Sequence, residues 1–183
     1  TNEITCWGRD DLGQSSPPTE ELNALELSSL QLWLHDQTPV SGGFHTCVPY
    51  LTQHGDVAGY VCWGDDSYGQ SSPPEPQTDK GFAWNSLTLG GYHSCALEDG
   101  TQPGDDTVVC WGDNSAGQTD GPPEPMYSWS LTAGGYHTCG VTRNDRTICW
   151  GDNTFGQLDV PRCGDGILHG VAGEACDDGN LIG

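Results

Sequence analysis

An all-β fold built from β-propeller blades is the class this sequence predicts, and three observations predict it. The chain is rich in glycine and proline, with 27 Gly and 12 Pro among 183 residues and only 34% hydrophobic residues. That balance suits short strands joined by tight turns and serves long helices badly. Two short motifs alternate along the chain, which is the mark of stacked repeat units. Each motif carries one cysteine, so every complete unit holds a pair.

The first motif occurs at Cys6-Trp7-Gly8, Cys62-Trp63-Gly64, Cys110-Trp111-Gly112 and Cys149-Trp150-Gly151. Each copy runs on to a Gly-Gln pair, at Gly13-Gln14, Gly69-Gln70, Gly117-Gln118 and Gly156-Gln157. The second motif occurs at Gly42-Gly43-Phe44-His45-Thr46-Cys47, Gly90-Gly91-Tyr92-His93-Ser94-Cys95 and Gly134-Gly135-Tyr136-His137-Thr138-Cys139. Successive Trp residues stand 56, 48 and 39 positions apart, so loops vary on a constant frame. A period of roughly 40–50 residues with about four short strands per unit reads as propeller blades.

The array therefore divides into a half unit at 1–14 and full units at about 15–70, 71–118 and 119–161, before a tail at 162–183. Strand candidates are Leu30–Leu34, Tyr60–Trp63, Ser86–Leu89, Thr107–Trp111, Trp129–Thr132 and Thr147–Trp150. Glu20–Ser29 reads as a short helical turn. The Asp-Asp or Asp-Asn pair after each later Cys-Trp-Gly supplies turn residues that tolerate positive φ.

The cysteines pair within units: Cys47 with Cys62, Cys95 with Cys110, and Cys139 with Cys149. In the chain-entropy model, loops of this length make each bridge worth roughly 3 kcal/mol. Cys6 has no upstream partner. No Cys-x-x-Cys occurs, which argues against zinc ribbons and thioredoxin-like chemistry. The cysteines read instead as a disulfide framework for an oxidising compartment.

The charge excludes some partners. Five Lys and Arg stand against 26 Asp and Glu, a formal charge of −21. Such a surface repels phosphate backbones, so nucleic acid is not an expected partner. No apolar run approaches the roughly 20 residues needed to span a bilayer. No secretory signal is seen and the chain does not begin with Met, so it reads as a processed form or a fragment.

The two motifs resemble the repeat of the regulator of chromosome condensation family in its bacterial, cysteine-bearing form, over about Ile4 to Pro161. The resemblance implies a propeller, most often of about seven blades. Three complete units and one half are visible. With the disulfide framework, the bacterial form of the repeat leads to the expectation of a location outside the cell or on the surface of a bacterium. The founder's nucleotide exchange and chromatin binding do not carry over, because fold alone never licenses function. The tail, with Cys163-Gly164-Asp165-Gly166 and Gly173-Glu174-Ala175-Cys176-Asp177-Asp178-Gly179-Asn180, is similar to a cysteine-rich repeat of myxobacterial surface proteins and looks truncated. Cys163 with Cys176 is the candidate fourth bridge, unless either pairs outside the visible chain.

His45, His93 and His137 recur once per unit, which marks a repeated structural hydrogen bond rather than a catalytic or metal site. Trp7, Trp63, Trp111 and Trp150 are expected to pack in the core beside the disulfides. His35, His54 and His169 are isolated and expected in loops. No nucleophile elbow, phosphate loop or zinc-protease helix appears, so the expected chain is not an enzyme. Calcium is the one candidate ion. Asp165, Glu174, Asp177, Asp178 and Asn180 concentrate oxygen ligands in the tail, with the insertion Glu98–Asp106 as a second candidate and a solvated acidic tail as the alternative.

Two functional readings follow. The first is a structural or assembly protein outside the cell, with other protein chains as partners through self-association or completion of the propeller. The second is a secreted module whose variable loops bind a protein or glycan, in the manner of an inhibitor.

Overall fold

The computed structural model describes residues 4–27, 38–52, 54, 56–77, 81–83, 86–100, 105–127 and 130–159. They form one short helix and three antiparallel sheets of three strands each. The helix α1 (Thr19–Leu27) follows Pro17-Pro18, and the Leu22 N–H donates to the Pro18 carbonyl at 3.0 Å. Proline suits a helix start because it lacks a donor that would go unused there. The helix overlaps the turn expected at Glu20–Ser29, beginning one residue before it.

The first sheet is β1 (Val40–Ser41), β2 (His45–Leu51) and β3 (Val57–Gly64). The second is β4 (Thr88–Leu89), β5 (His93–Glu98) and β6 (Thr107–Gly112), and the third is β7 (Thr132–Ala133), β8 (His137–Val141) and β9 (Thr147–Gly151). Each sheet repeats one register: Cys47 opposite Cys62, Cys95 opposite Cys110, and Cys139 opposite Cys149. All three pairs are disulfide-bonded. Strand order follows chain order, so every connection is local.

Three expectations shift. Among the described residues, each sheet has three strands rather than four. Among the described residues, isolated bridges are what lies beyond them: Phe82 bridges both Val57 and Glu98, and Met126 bridges Thr142. The long His-bearing strands β2, β5 and β8 are absent from the strand candidates, because Gly, His, Thr and Cys lack the apolar alternation that marks a strand. The Asp residues after Cys-Trp-Gly do not take positive φ. That conformation falls on the glycines beside them, such as Gly64 at 108° and Gly69 at 83°, and among the described non-glycine residues only on Asp145 in the β8–β9 turn. The candidate strand Leu30–Leu34 and His35 lie outside the described residues, as does Trp129, and the candidate Trp129–Thr132 meets the structure only at Thr132, the first residue of β7.

The core is divided among the junctions between sheets. Leu51, Val57, Tyr60, Phe82, Ala96 and Trp111 join the first sheet to the second. Ala83, Cys95, Leu97, Met126 and Trp150 join the second to the third. Leu22, Val48, Val61 and Trp63 pack with Ile4 and Cys6, so residues from the N-terminal half unit cover the outer side of the first sheet.

Candidate protein-interaction site

The Gly-Gly-aromatic-His motif is a connector between sheets. Within each copy, the first Gly N–H donates to the His carbonyl at 2.8–2.9 Å, closing a tight bend (Gly42 to His45, Gly90 to His93, Gly134 to His137). This folds the imidazole flat over the first glycine. A Cβ at Gly90 would stand 2.2 Å from His93 Cε1, and one at Gly134 would stand 2.2 Å from His137 Cε1. The second glycine lets neighbouring units approach: Gly43 N–H donates to Gly90 O at 2.9 Å, and Gly91 N–H to Gly135 O at 3.0 Å. The intervening aromatics stack from unit to unit, Phe44 on Tyr92 at 4.7 Å and Tyr92 near Tyr136 at 6.2 Å.

The histidines reach across the junctions. His45 Nε2 lies 2.7 Å from Ser94 Oγ, and His93 Nε2 lies 2.8 Å from Thr138 Oγ1. Ser94 spends its hydroxyl proton on the Gln70 carbonyl at 3.1 Å, so its oxygen accepts and His45 Nε2–H donates. Nδ1 of His45 is then a bare acceptor, and it is buried without a partner, as is Nδ1 of His93. Protonating either ring would bury a cation beside another histidine. Burial first, and then the neighbouring His93, push His45 down to about 4 against the opposing pull of Asp65 and Asp66. Burial likewise takes His93 to about 4, with His137 adding to it and Asp113 opposing. Both rings are therefore neutral at neutral pH, and His45 is the donor across its junction.

The Cys-Trp-Gly…Gly-Gln loop makes the second half of each junction. Trp63 Nε1–H donates to Gln14 O at 3.1 Å, Trp111 to Gln70 O at 2.9 Å, and Trp150 to Gln118 O at 3.0 Å. Each tryptophan thus holds the loop of the unit before it. The loop is stiffened from within. The Gln70 amide donates to Asp65 Oδ2 at 2.8 Å while its oxygen accepts from Tyr68 N at 2.9 Å. Gln118 does the same with Asp113 and Ala116, and Gln157 with Asp152 and Phe155. Serine and threonine hydroxyls in the turn hold Asp65 and Asp152 below the usual carboxylate range. In the half unit Arg9 replaces that aspartate, and Gln14 turns to Asp11 instead, at 3.2 Å.

One expectation is corrected at the half unit. Trp63, Trp111 and Trp150 are 6–8% exposed, as a core role requires, but Trp7 is 86% exposed. No strand of the described structure pairs with residues 4–8, so nothing covers the indole. Cys6 beside it has no disulfide partner among the described residues. At the opposite end, Tyr136 is 46% and Phe155 91% exposed. Among the described residues, no hydroxyl meets His137 Nε2 and no indole meets the Gln157 carbonyl.

The metal candidates fare differently. Cys163, Cys176, His169, Asp165, Glu174, Asp177, Asp178 and Asn180 lie outside the described residues. In the insertion Glu98–Asp106, both ends are buried and Asp106 pairs with Arg143 at 3.2 Å. Among the described residues, no group of three His, Cys, Asp or Glu is placed to hold a metal. His54 stands in the turn between β2 and β3. Among the described residues, no helix is long and apolar enough to cross a membrane.

What sequence reasoning missed at the junctions is the aromatic after Gly-Gly and the hydroxyl after His. Both were visible as recurrences (Phe44, Tyr92, Tyr136; Thr46, Ser94, Thr138), but neither shows from one copy what it touches.

Comparison with known proteins agrees with this architecture. Residues 130–157 match the family model described as the regulator of chromosome condensation (RCC1) repeat. No curated protein matches the chain. The crystal structure of Prp20p from Saccharomyces cerevisiae, a study that also covers its binding to Gsp1p and histones, aligns at a TM-score of 0.55 and 15% identity, covering 85% of this chain and 41% of that one. Yeast RCC1 (Prp20) with Kap60 aligns at 0.54 and 18% identity, covering 80% and 39%. The CRINKLY WD40 ectodomain of the Arabidopsis thaliana receptor kinase ACR4 aligns at 0.47 and 28% identity, covering 68% and 38%. This chain spans about two fifths of the length of these solved structures. Its sheets are successive propeller blades, and the stretch at residues 130–157 is of the RCC1 repeat type.

Proposed function

We propose that the chain is a non-enzymatic assembly protein, located outside the cell or at its surface, whose end faces join further blades of the same repeat type carried by other chains. The observation that supports this most is the sameness of the two internal junctions. Each uses one imidazole-to-hydroxyl bond, one glycine N–H to carbonyl bond and one indole-to-Gln bond, and the third blade presents the leading half of that set again, with the Gly135 N–H as donor and the Gln157 carbonyl as acceptor. Gly135 meets nothing within 4 Å of a built Cβ, Tyr136 and Phe155 are exposed, and His137 and Gln157 repeat the positions of His93 and Gln118. Apolar rings rimmed by unused polar groups are the chemistry of an interface. Three disulfides suit an oxidising environment, which supports the location.

A second reading has its own observation. Leu12, Tyr68 and Phe155 occupy the same loop position before Gly-Gln, and all three are exposed. A ligand-reading row of loops would place apolar side chains in this way.

Size-exclusion chromatography with light scattering separates the two. The assembly reading expects a mass above that of one 19.5 kDa chain, reduced by Phe155→Ser. A folded chain that stays monomeric at high concentration overturns assembly and leaves the loop-binding reading.

A further inference from the structure

The turn Asp65–Gln70 presents an aromatic ring and two carboxylates at the junction between the first and second blades. We propose that Tyr68, with Tyr92 beside it and Asp65 and Asp66 of the same turn, binds an arginine side chain from a basic segment of a partner protein. The proposal rests on the loop-binding reading, whose ligand it names, and it is independent of assembly.

The molecule builds the same arrangement twice for its own arginines. Arg9 lies over the Phe44 ring, 5.9 Å from its centroid, and pairs with Asp11. Arg143 lies 4.9 Å over the Tyr127 ring and pairs with Asp106 at 3.2 Å. A ring on one side and a carboxylate on the other suit guanidinium, a planar cation that stacks on ring faces and still offers its N–H groups to oxygen. In the next unit Asp65 stands where Arg9 stands in the half unit, so that turn brings carboxylates and no cation of its own. Among the described residues, no Lys or Arg lies over Tyr68.

The ring is open and held in place. Tyr68 is 56% exposed although its loop lies at an internal junction, with the second blade's Trp111 bonded to it through the Gln70 carbonyl. Its ring meets Tyr92 edge-on, with centroids 5.5 Å apart and planes at 67°, and Phe44 backs Tyr92 at 4.7 Å. Burial first, then Tyr136, Asp65 and Tyr68, raise the Tyr92 phenol against Arg9, so Asp65 and Tyr68 both stand within electrostatic reach of that ring. Asp66 is exposed, and its two oxygens accept from Ser71 N and Ser72 Oγ at 2.8 Å each. An ionised carboxylate has about four acceptor sites, so Asp66 keeps lone pairs for an incoming donor. Charge then selects the partner. A chain with 26 acidic and five basic residues draws cationic segments and repels anionic ones.

The test titrates the full chain with a short synthetic peptide of alternating arginine and glycine, read by calorimetry and by aromatic carbon–proton NMR. The expected result is saturable binding that shifts the ring signals of Tyr68 and Tyr92. Tyr68→Ala should weaken binding about three- to tenfold, the scale of one cation–π contact, and Tyr68→Phe should keep it. Asp66→Asn should weaken it too and should lessen its dependence on salt. Both variants are expected to fold, because the third loop carries Ala116 and Asn114 at these positions and makes the same backbone bonds. A peptide with citrulline for arginine, equally planar but uncharged, should not bind.

Arginine-peptide binding that Tyr68→Ala leaves unchanged is only the general attraction of an acidic surface, and it overturns the proposal. Equal binding of the citrulline peptide overturns it as well. Maltohexaose, a neutral oligosaccharide, is the second probe. If it shifts the Tyr68 signals and the peptide does not, the loop-binding reading stands and the cationic ligand falls. If neither does, the arginine site falls, while light scattering still decides between assembly and loop binding.

Discussion

Trp7 and Trp63 sit in the same Cys-Trp-Gly…Gly-Gln motif, yet one is 86% exposed and the other 6%. The second blade shows the opposite extreme, with every residue of β5 buried between two neighbours, whereas β8 in the third blade alternates buried and half-buried positions. The comparison teaches that burial in this array belongs to junctions and not to motifs. A blade's local hydrogen bonds form from its own sequence. Its tryptophan, histidine and glycine pair become core residues only when the adjoining unit arrives.

The largest expected break in that comparison is at the tryptophans. Trp63→Ala removes an indole packed on Val48 and Val61 and bonded to Gln14, and is expected to cost about 3–5 kcal/mol in denaturant unfolding. Trp7→Ala is expected to stay within about 0.5 kcal/mol, as exposed substitutions do. Equal losses at the two positions would refute the junction account.

The second test is acid. His45 and His93 titrate near 4 when folded and near the ordinary 6.5 when unfolded, so the unfolded chain takes up protons first as pH falls. Their stabilisation is fully present above about pH 6.5 and is lost progressively down to about pH 4, on the order of 3 kcal/mol for each histidine. Urea melts between pH 7 and 4 should show this slope, and His45→Gln with His93→Gln should flatten it.

The smallest effect sharpens the glycine argument. A Cβ at Gly90 meets His93 at 2.2 Å and Gly134 O at 2.7 Å, whereas one at Gly135 meets nothing within 4 Å. Gly90→Ala should cost about 1–3 kcal/mol by overpacking. Gly135→Ala should be neutral or slightly stabilising, by up to about 1 kcal/mol, because it restricts the unfolded chain. Thermal melts of the two variants give the ordering directly.

Much of the fold was legible because the information repeats. Three copies of a cysteine in each half unit make the within-unit pairing the economical one, and Tyr60–Trp63, Thr107–Trp111 and Thr147–Trp150 are β-rich enough to read as strands. The strands opposite them were not legible by pattern. His93–Glu98 is buried on both faces, so polar residues satisfied across a junction stand where alternation would otherwise appear. Among the described residues, what lies beyond the three strands of a sheet is single bridges at Phe82 and Met126, which only packing reveals. The candidate site was partly readable: the histidines were expected to make a repeated structural bond, but the hydroxyl that receives it lies 49 residues away for His45 and 45 for His93.

By itself the sequence determined whatever closes within one unit: the alternation of motifs, the register that sets Cys47, Cys95 and Cys139 opposite their partners, and the bends that only glycine permits. Those are short-range constraints, set by covalent geometry and nearest-neighbour hydrogen bonds. Tertiary structure alone decided which tryptophan is buried, which hydroxyl meets which imidazole, and that a cavity opens between Trp7 and Thr46. Those outcomes depend on surfaces contributed by different units, and a repeated motif carries the same residues whether or not its neighbour is there to cover them.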